Sequence, residues 1–188
     1  MKKSIFLTAM FCLLAISAFA QDKKATDFSG NWTLDVSKSK LDERARIESM
    51  TLNVSQTGKE LKVESATKRA ARPEGETPGG GMGRGEGGRM GGGFGGDGAA
   101  VYSLDGKETT APVSGGQASG VTTTKAEFDK DNKLKVTSTR KISSPMGDFT
   151  FTTKETWEIT DGGKTLKIVR EMETRRGNAT SEMVFTKK

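Results

Sequence analysis

Charged side chains at alternate positions of apolar segments are the residues of this chain best suited to chemistry. In segment 148–160, Glu155 shares the alternating face with three aromatic side chains, while Arg140 and Arg170 occupy similar positions in 133–142 and 164–175. Alternate residues of a β-strand face the same side, and a charge buried alone is costly. These charges must therefore pair, contact water or meet a ligand. An amphipathic ligand with an anionic head group suits such an interior, which predicts a binding set of Arg140, Arg170, Glu155, Phe149, Phe151 and Trp157.

Three other arrangements would explain the same pattern without a ligand. Each strand can leave the core near its end, which would put the charges on a solvated rim. A β-bulge can reverse the alternation of faces. Glu155 can also pair with one of the arginines, which satisfies both charges internally.

The composition excludes the most common catalytic mechanisms and metal sites. The chain has no histidine, and its single cysteine is Cys12. Histidine is the usual general base near neutral pH and the commonest metal ligand, so Ser-His-Asp triads and histidine-bound zinc are excluded. The acidic cluster Asp129–Asn132 lacks the glycine and distal glutamate of a calcium loop and is typical of a turn. No carboxylate pair stands out for catalysis, so we expect no enzyme activity, no catalytic residues, no metal and no cofactor.

The first twenty residues carry the three parts of a secretory signal. Two lysines precede a short apolar run, and Ala18-Phe19-Ala20 supplies a small-x-small cleavage pattern. An apolar run of about a dozen residues is too short to span a bilayer. We therefore expect residues 1–20 to be a signal peptide and Gln21 to begin the mature chain. The protein is then exported to the periplasm or the extracellular space, without a transmembrane segment.

Residues 73–98 differ sharply in composition from the rest of the chain, since fourteen of these twenty-six residues are glycine. Such a segment loses much backbone entropy on folding and has little apolar surface to bury. It is therefore predicted to be a flexible, disordered loop inserted in a single domain of residues 21–188. The net charge of +6 is dispersed along the sequence, and an exported chain without a concentrated basic segment is not expected to bind nucleic acid.

Three hairpin units repeat outside the glycine-rich segment. Residues 52–63, 126–136 and 157–168 each contain an alternating strand, a turn rich in Gly, Asn or Asp, and a second strand with Leu-Lys near its start. Residues 37–46 look briefly helical, with Ser37 or Ser39 as the N-cap. Alternation between turn signals predicts about ten strands, at 30–36, 47–55, 59–68, 99–104, 107–112, 119–128, 133–142, 148–160, 164–175 and 178–187.

The expected fold is all-β. About 8–10 short strands joined by tight turns make an antiparallel up-and-down meander, and closure into a barrel removes the exposed edges of such a sheet. An outer-membrane barrel is the competing form of closure. It needs aromatic girdles, whereas aromatic residues make up only 6% of this chain.

The segment Asp27–Leu34 resembles a known opening strand. Its Phe28, Gly30 and Trp32 are similar to the Phe-x-Gly-x-Trp motif of fatty-acid-binding proteins, and the Gly-x-Trp part is similar to the first lipocalin motif. Both families belong to the calycin superfamily of up-and-down barrels. The resemblance implies a lipocalin-like barrel in which Gly30 and Trp32 are structural and Trp32 closes the base. It also implies a carboxylate-binding role for the interior arginines.

Two functional expectations follow. The first is an exported lipocalin-like protein that binds a small lipophilic or amphipathic ligand in the barrel interior. The second is a non-catalytic structural or interaction module of the bacterial cell envelope, with a barrel filled by side chains. In that second case the glycine-rich loop or an open strand edge contacts a partner protein. An empty interior of several hundred Å³ favours the first expectation, and a packed interior favours the second.

Overall fold

Ten β-strands make up most of the described chain. The computed structural model describes residues 25–42, 45–71, 98–115, 118–145, 147–174 and 177–188. The predicted signal peptide and nearly all of the predicted glycine-rich loop lie outside these residues. The strands are β1 (Gly30–Leu34), β2 (Ile47–Gln56), β3 (Glu60–Arg69), β4 (Gly98–Ser103), β5 (Glu108–Gly115), β6 (Ala118–Phe128), β7 (Leu134–Ser144), β8 (Gly147–Thr160), β9 (Thr165–Thr174) and β10 (Gly177–Lys187).

The strands form one antiparallel sheet in the order β4-β3-β2-β1-β10-β9-β8-β7-β6-β5. The first and last strands pair from Trp32 opposite Lys187 to Leu34 opposite Phe185, and this pairing curls the sheet into a nearly closed barrel. The all-β up-and-down meander predicted from the sequence is therefore confirmed. Closure is incomplete, because β4 and β5 remain as the two edges of the sheet.

Local turn chemistry explains why the three repeated units form hairpins. In the β6–β7 turn, the Asp129 carboxylate accepts hydrogen bonds from the N–H groups of Asp131 (3.0 Å) and Lys133 (2.9 Å). Asn132 has a φ of 64°, a left-handed conformation that asparagine tolerates better than most residues. The chain reverses within a few residues and brings Phe128 opposite Leu134. The other two repeats are the β2–β3 and β8–β9 hairpins.

Large apolar side chains fill one end of the barrel, which we call the base. Phe28 lies edge-on to Trp157, with ring centroids 5.9 Å apart, and the Trp32 indole N–H donates to the Phe28 carbonyl at 2.9 Å. Complete burial of such a side chain is worth about 1.5–3 kcal/mol, so the base is the main source of stability. Its fully buried residues include Phe28, Trp32, Leu52, Leu61, Leu134, Trp157, Leu166, Ile168 and Phe185.

The connection after β1 differs from the short helix predicted for residues 37–46. A 3-10 turn spans Val36–Lys38 in the described part of this connection, and its N-cap is Asp35. The Asp35 carboxylate accepts from the Ser37 hydroxyl at 2.6 Å. Ser39 accepts instead from the Val184 N–H at 3.0 Å, so its hydroxyl ties this connection to β10 and does not cap a helix. Within the described residues, no helix is long and apolar enough to cross a membrane.

Candidate functional site

A layer of polar side chains crosses the barrel interior directly above the base. We call this set the polar layer: Tyr102, Thr122, Thr124, Ser138, Glu155 and Arg170. Residues directly opposite each other in antiparallel strands share a face, and the register places Glu155 opposite Arg170 and Thr124 opposite Ser138. All except Arg170 are buried, and Arg170 is mostly buried. The interior therefore changes from apolar to polar about halfway along the strands.

Glu155 and Arg170 form an ion pair in this layer. One carboxylate oxygen of Glu155, Oε1, accepts from Arg170 Nη2 at 2.7 Å and from Nε at 2.9 Å. The other oxygen, Oε2, accepts from the Trp157 indole N–H at 3.0 Å. The side chains of Arg170 and Glu155 are only 12% and 3% exposed. Of the arrangements considered above for these charges, the structure therefore shows pairing between Glu155 and an arginine, which is Arg170.

Tyr102 lies close enough to this ion pair for both charges to affect its pKa. Burial raises the pKa of the phenol above its ordinary value, the charge of Glu155 raises it further, and Arg170 opposes the shift. The residue is 2% exposed, and its hydroxyl has no hydrogen-bond partner among the described residues. Tyr102 is thus a protonated buried donor. It is the single tyrosine of the chain, and its alternation with Ala100 along the strand is the pattern in the sequence that could have identified it as an interior residue.

The other predicted residues lie nearer the opposite, open end of the barrel. Arg140 is opposite Phe151 in the β7–β8 register, and its Nε donates to the Thr122 hydroxyl at 3.4 Å. The rings of Phe149 and Phe151 are nearly parallel, with an interplanar angle of 6° and centroids 6.3 Å apart. Arg140 lies four positions along β7 from Val136, the residue opposite Glu155, which is about 13 Å along a strand. The predicted set is therefore divided into two groups.

Four inward-facing side chains near the open end retain solvent exposure, although Ile142, opposite Phe149, is buried. Arg140, Phe149 and Phe151 are each half-buried, and Met172, on the same face of β9 as Arg170, is 36% exposed. By contrast, the fully buried residues of the base named above are at most 1% exposed. We call these four open-end residues the upper interior. Their exposure indicates that this part of the barrel is not filled to the density of the base.

A cleft of about 380 Å³ lies between the two edges of the sheet. We call it the seam cleft. One wall is β4, the other is β5, and the buried hydroxyl residues Thr122 and Thr124 of β6 lie beneath them. Below the cleft the gap is bridged by the Gly106 N–H, which donates to the Ala126 carbonyl at 3.2 Å. Among the described residues, no strand pairing joins β4 to β5.

Gly30 and Trp32 meet the last strand at the base. A Cβ atom on Gly30 would lie 2.5 Å from Lys187 Cε, and the φ of Gly30 is +142°. The backbone conformation therefore favours glycine at this position, whereas the flexible end of Lys187 could move aside. The Lys187 ammonium lies 5.1 Å from the Trp32 ring centroid, within the range of a cation–π contact.

The fold and these sites define a class of protein: a nearly closed, ten-stranded antiparallel β-barrel with a packed base, a polar layer and a partly exposed upper interior. Comparisons with models of protein families, with curated proteins and with solved structures find no match to this chain.

Proposed function

We propose that this protein is an exported, non-enzymatic, lipocalin-like barrel that binds a small amphipathic ligand in its upper interior. The observation that carries the proposal is the exposure of Phe149, Phe151 and Met172, which face the inside of a barrel. Apolar surface that faces inward but still contacts solvent gains free energy when a ligand covers it. Pockets for small ligands generally combine such surface with a few polar groups.

Arg140 is the group proposed to bind an anionic head. The charge of Arg170 is matched by Glu155 at 2.7 Å, so a second anion beside Arg170 would meet a nearby carboxylate. Arg140 lies in the next part of the interior, next to the Thr122 hydroxyl. A carboxylate bound there accepts charge-assisted hydrogen bonds, and an alkyl tail covers the two phenylalanine rings. The polar layer forms the floor of this site.

The proposal that this protein is exported to the cell envelope rests on the sequence of residues 1–20. The proposal that it is calycin-like rests on the Gly30–Trp32 motif together with the arrangement of strands. The nearly closed ten-strand meander supports a calycin-like barrel. The location of Gly30 and Trp32 at the packed base agrees with their structural role in that family. A fold alone does not determine function, so a binding experiment is needed to test whether the barrel binds a ligand.

The test compares dodecanoate with dodecanol, which share a tail and differ in the head group. Each is titrated against a bound fluorescent probe, 1-anilinonaphthalene-8-sulfonate, with the purified protein and with Arg140→Met. We expect the substitution to weaken dodecanoate binding at least tenfold, because a charge-assisted hydrogen bond is worth about 1.5–3 kcal/mol, and to leave dodecanol binding nearly unchanged.

Lys141→Met is the matched control for this test. Lys141 is the next residue on β7 and is exposed on the outer face, so its replacement removes the same charge without touching the interior. It should bind dodecanoate as the unchanged protein does. Absence of dodecanoate binding in the unchanged protein, or equal loss in both variants, would refute the proposed site.

A further inference from the structure

Strand β4 is an edge strand without the usual protections. Its sequence, Gly-Ala-Ala-Val-Tyr-Ser, contains no charged residue and no proline, and Val101 is 55% exposed. Natural proteins usually protect sheet edges with charges, prolines or bulges, because an open edge pairs readily with another chain. The facing edge strand β5 carries Pro112, which is such a protection. The two walls of the seam cleft therefore differ, and β4 is the wall able to accept a partner.

The hydrogen-bond pattern shows which backbone groups of β4 point into the cleft. Just beyond the strand, the Leu104 N–H donates to the Lys59 carbonyl at 2.8 Å. Paired residues of antiparallel strands alternate between hydrogen-bonded and non-hydrogen-bonded positions. The N–H and C=O groups of Ala100 and Tyr102 therefore point towards β3, whereas those of Ala99, Val101 and Ser103 point into the cleft. This row of alternating donors and acceptors matches the backbone of another extended chain.

The side chains of the seam cleft favour an uncharged occupant of small cross-section. Apart from Glu60, every lining side chain is uncharged, and most are alanine or threonine. Small side chains obstruct a second backbone, which pairs at a strand spacing of about 4.8 Å, less than large side chains would. Beneath the cleft lie Thr122 and Thr124 of β6, which are buried and whose hydroxyls bond Arg140 and Ser138, so little space is left there for large inward side chains of an incoming strand.

We propose that the seam cleft is a strand-acceptor site, in which an extended segment of another polypeptide pairs with the free edge of β4. The segment spans about six residues, the length of β4. It carries no proline where it pairs, and small or hydroxyl side chains at the positions that face the barrel interior. This site shares Tyr102, Thr122 and Thr124 with the polar layer, but strand pairing with β4 does not depend on the ligand proposed above.

A synthetic peptide tests this proposal directly. The probe is an octapeptide with three Thr-Val repeats between terminal lysines, acetylated, amidated and fluorescently labelled, and its binding is followed by anisotropy. Its matched control is the same peptide N-methylated at all six central residues, which keeps the side chains and removes the backbone donors. We expect binding of the first peptide and at least a tenfold loss with the second.

Amide hydrogen exchange locates the bound peptide. The amides of Ala99, Val101 and Ser103 should exchange at least tenfold more slowly when the peptide is bound, because their N–H groups point into the cleft. The amides of Ala100 and Tyr102 already point towards β3 and should change little. Occupation of the cleft by contacts between side chains alone would not produce this alternation.

A proline substitution provides a second test on the protein itself. Val101→Pro removes an N–H group that points into the cleft and leaves the hydrogen bonds to β3 in place, so peptide binding should fall at least tenfold. Val101→Thr, which keeps the backbone donor, should bind as the unchanged protein does. If Val101→Pro fails to fold, the comparison of the two peptides on the unchanged protein decides alone.

Three results would overturn the proposal. The first is no peptide binding at millimolar concentration, and the second is equal binding of the N-methylated peptide. The third is a dimer in sedimentation experiments, with the same three amides protected in the absence of peptide, which would assign the cleft to a second copy of this chain.

Discussion

At the scale of single residues, the buried Glu155–Arg170 pair is a feature whose disruption we expect to be costly. The carboxylate accepts hydrogen bonds from both Arg170 and Trp157, so each oxygen has a partner in a nearly dry environment. Such a pair contributes less to stability than its distance suggests, because both ions lose their hydration on folding. Loss of one partner is far more damaging, since it leaves the other charge buried.

We therefore expect Arg170→Met to lower the free energy of unfolding by about 3–5 kcal/mol, the usual cost of breaking a buried ion pair. Glu155→Gln added to that variant should restore part of the loss, because the amide carries no charge and its oxygen can still accept from Trp157. Urea unfolding of the two variants and of Glu155→Gln alone measures the coupling. A single Arg170→Met variant as stable as the unchanged protein would contradict this account.

Sequence reasoning found the charged members of the interior and missed the neutral ones. Arg140, Glu155 and Arg170 stand out because each charge interrupts an apolar alternation. Tyr102, Thr122 and Thr124 do not, because hydroxyl residues occur on both faces of strands. Their importance depends on burial and on which strand lies across the barrel, and neither quantity is a local property of the sequence.

At the scale of strands and hairpins, the local sequence was a good guide. The three repeats predicted as hairpins are β2–β3, β6–β7 and β8–β9, because alternation and turn chemistry act over a few residues. The exception is the turn at Leu104–Lys107, whose Asp105-Gly106 pair is a typical hairpin signal. Strand β4 pairs with β3, and β5 pairs with β6, but the strands on either side of this turn do not pair with each other. Whether the sheet curls far enough to bring the free edges of β4 and β5 together depends on all ten strands, and a local turn signal does not report it.

The contact between β6 and β7 gives a prediction at this scale. A Cβ atom on Gly120 would collide with the backbone carbonyl of Lys141, and a backbone atom cannot move aside as the end of a flexible side chain can. Gly120→Ala should therefore lower the free energy of unfolding by about 1–3 kcal/mol, the usual cost of overpacking.

Gly58→Ala serves as the comparison, because a Cβ atom there would meet nothing within 4 Å. We expect it to change the free energy of unfolding by no more than about 0.5 kcal/mol, as for other exposed substitutions. Thermal and urea unfolding of both variants provide the measurement. Equal effects at the two glycines would mean that the β6–β7 contact is looser than described.

At the scale of the whole molecule, the titratable side chains determine how stability depends on pH. The backbone N–H of Lys107 and the Ser103 hydroxyl lower the pKa of Asp105 from 3.8 to about 2. Hydrogen bonds likewise lower the pKa values of Asp35, Asp129 and Glu182. A carboxyl group with a lowered pKa in the folded state stabilises the fold above its unfolded pKa, and this contribution is lost as the pH falls through the folded value.

We therefore expect the melting temperature to be flat between about pH 5 and pH 8 and to fall between about pH 4 and pH 2. The flat region follows from the absence of histidine, the side chain that ordinarily titrates there. Scanning calorimetry across the pH range measures both regions, and Asp105→Asn should make the acid region shallower. A marked change in melting temperature between pH 5 and pH 8 would contradict this assignment.

The Leu104–Lys107 turn has one more consequence, for the connection of the chain. The Lys188 N–H donates to the Asn31 carbonyl at 2.9 Å, so Lys188 lies beside the start of β1. A circular permutant could join Lys188 to Ala25 through a short linker and begin within the 104–107 turn. Its strands would run along the chain in their order across the sheet, from β5 to β4. In such a protein only the curvature of the sheet, and no peptide bond between β4 and β5, would hold the two edges side by side.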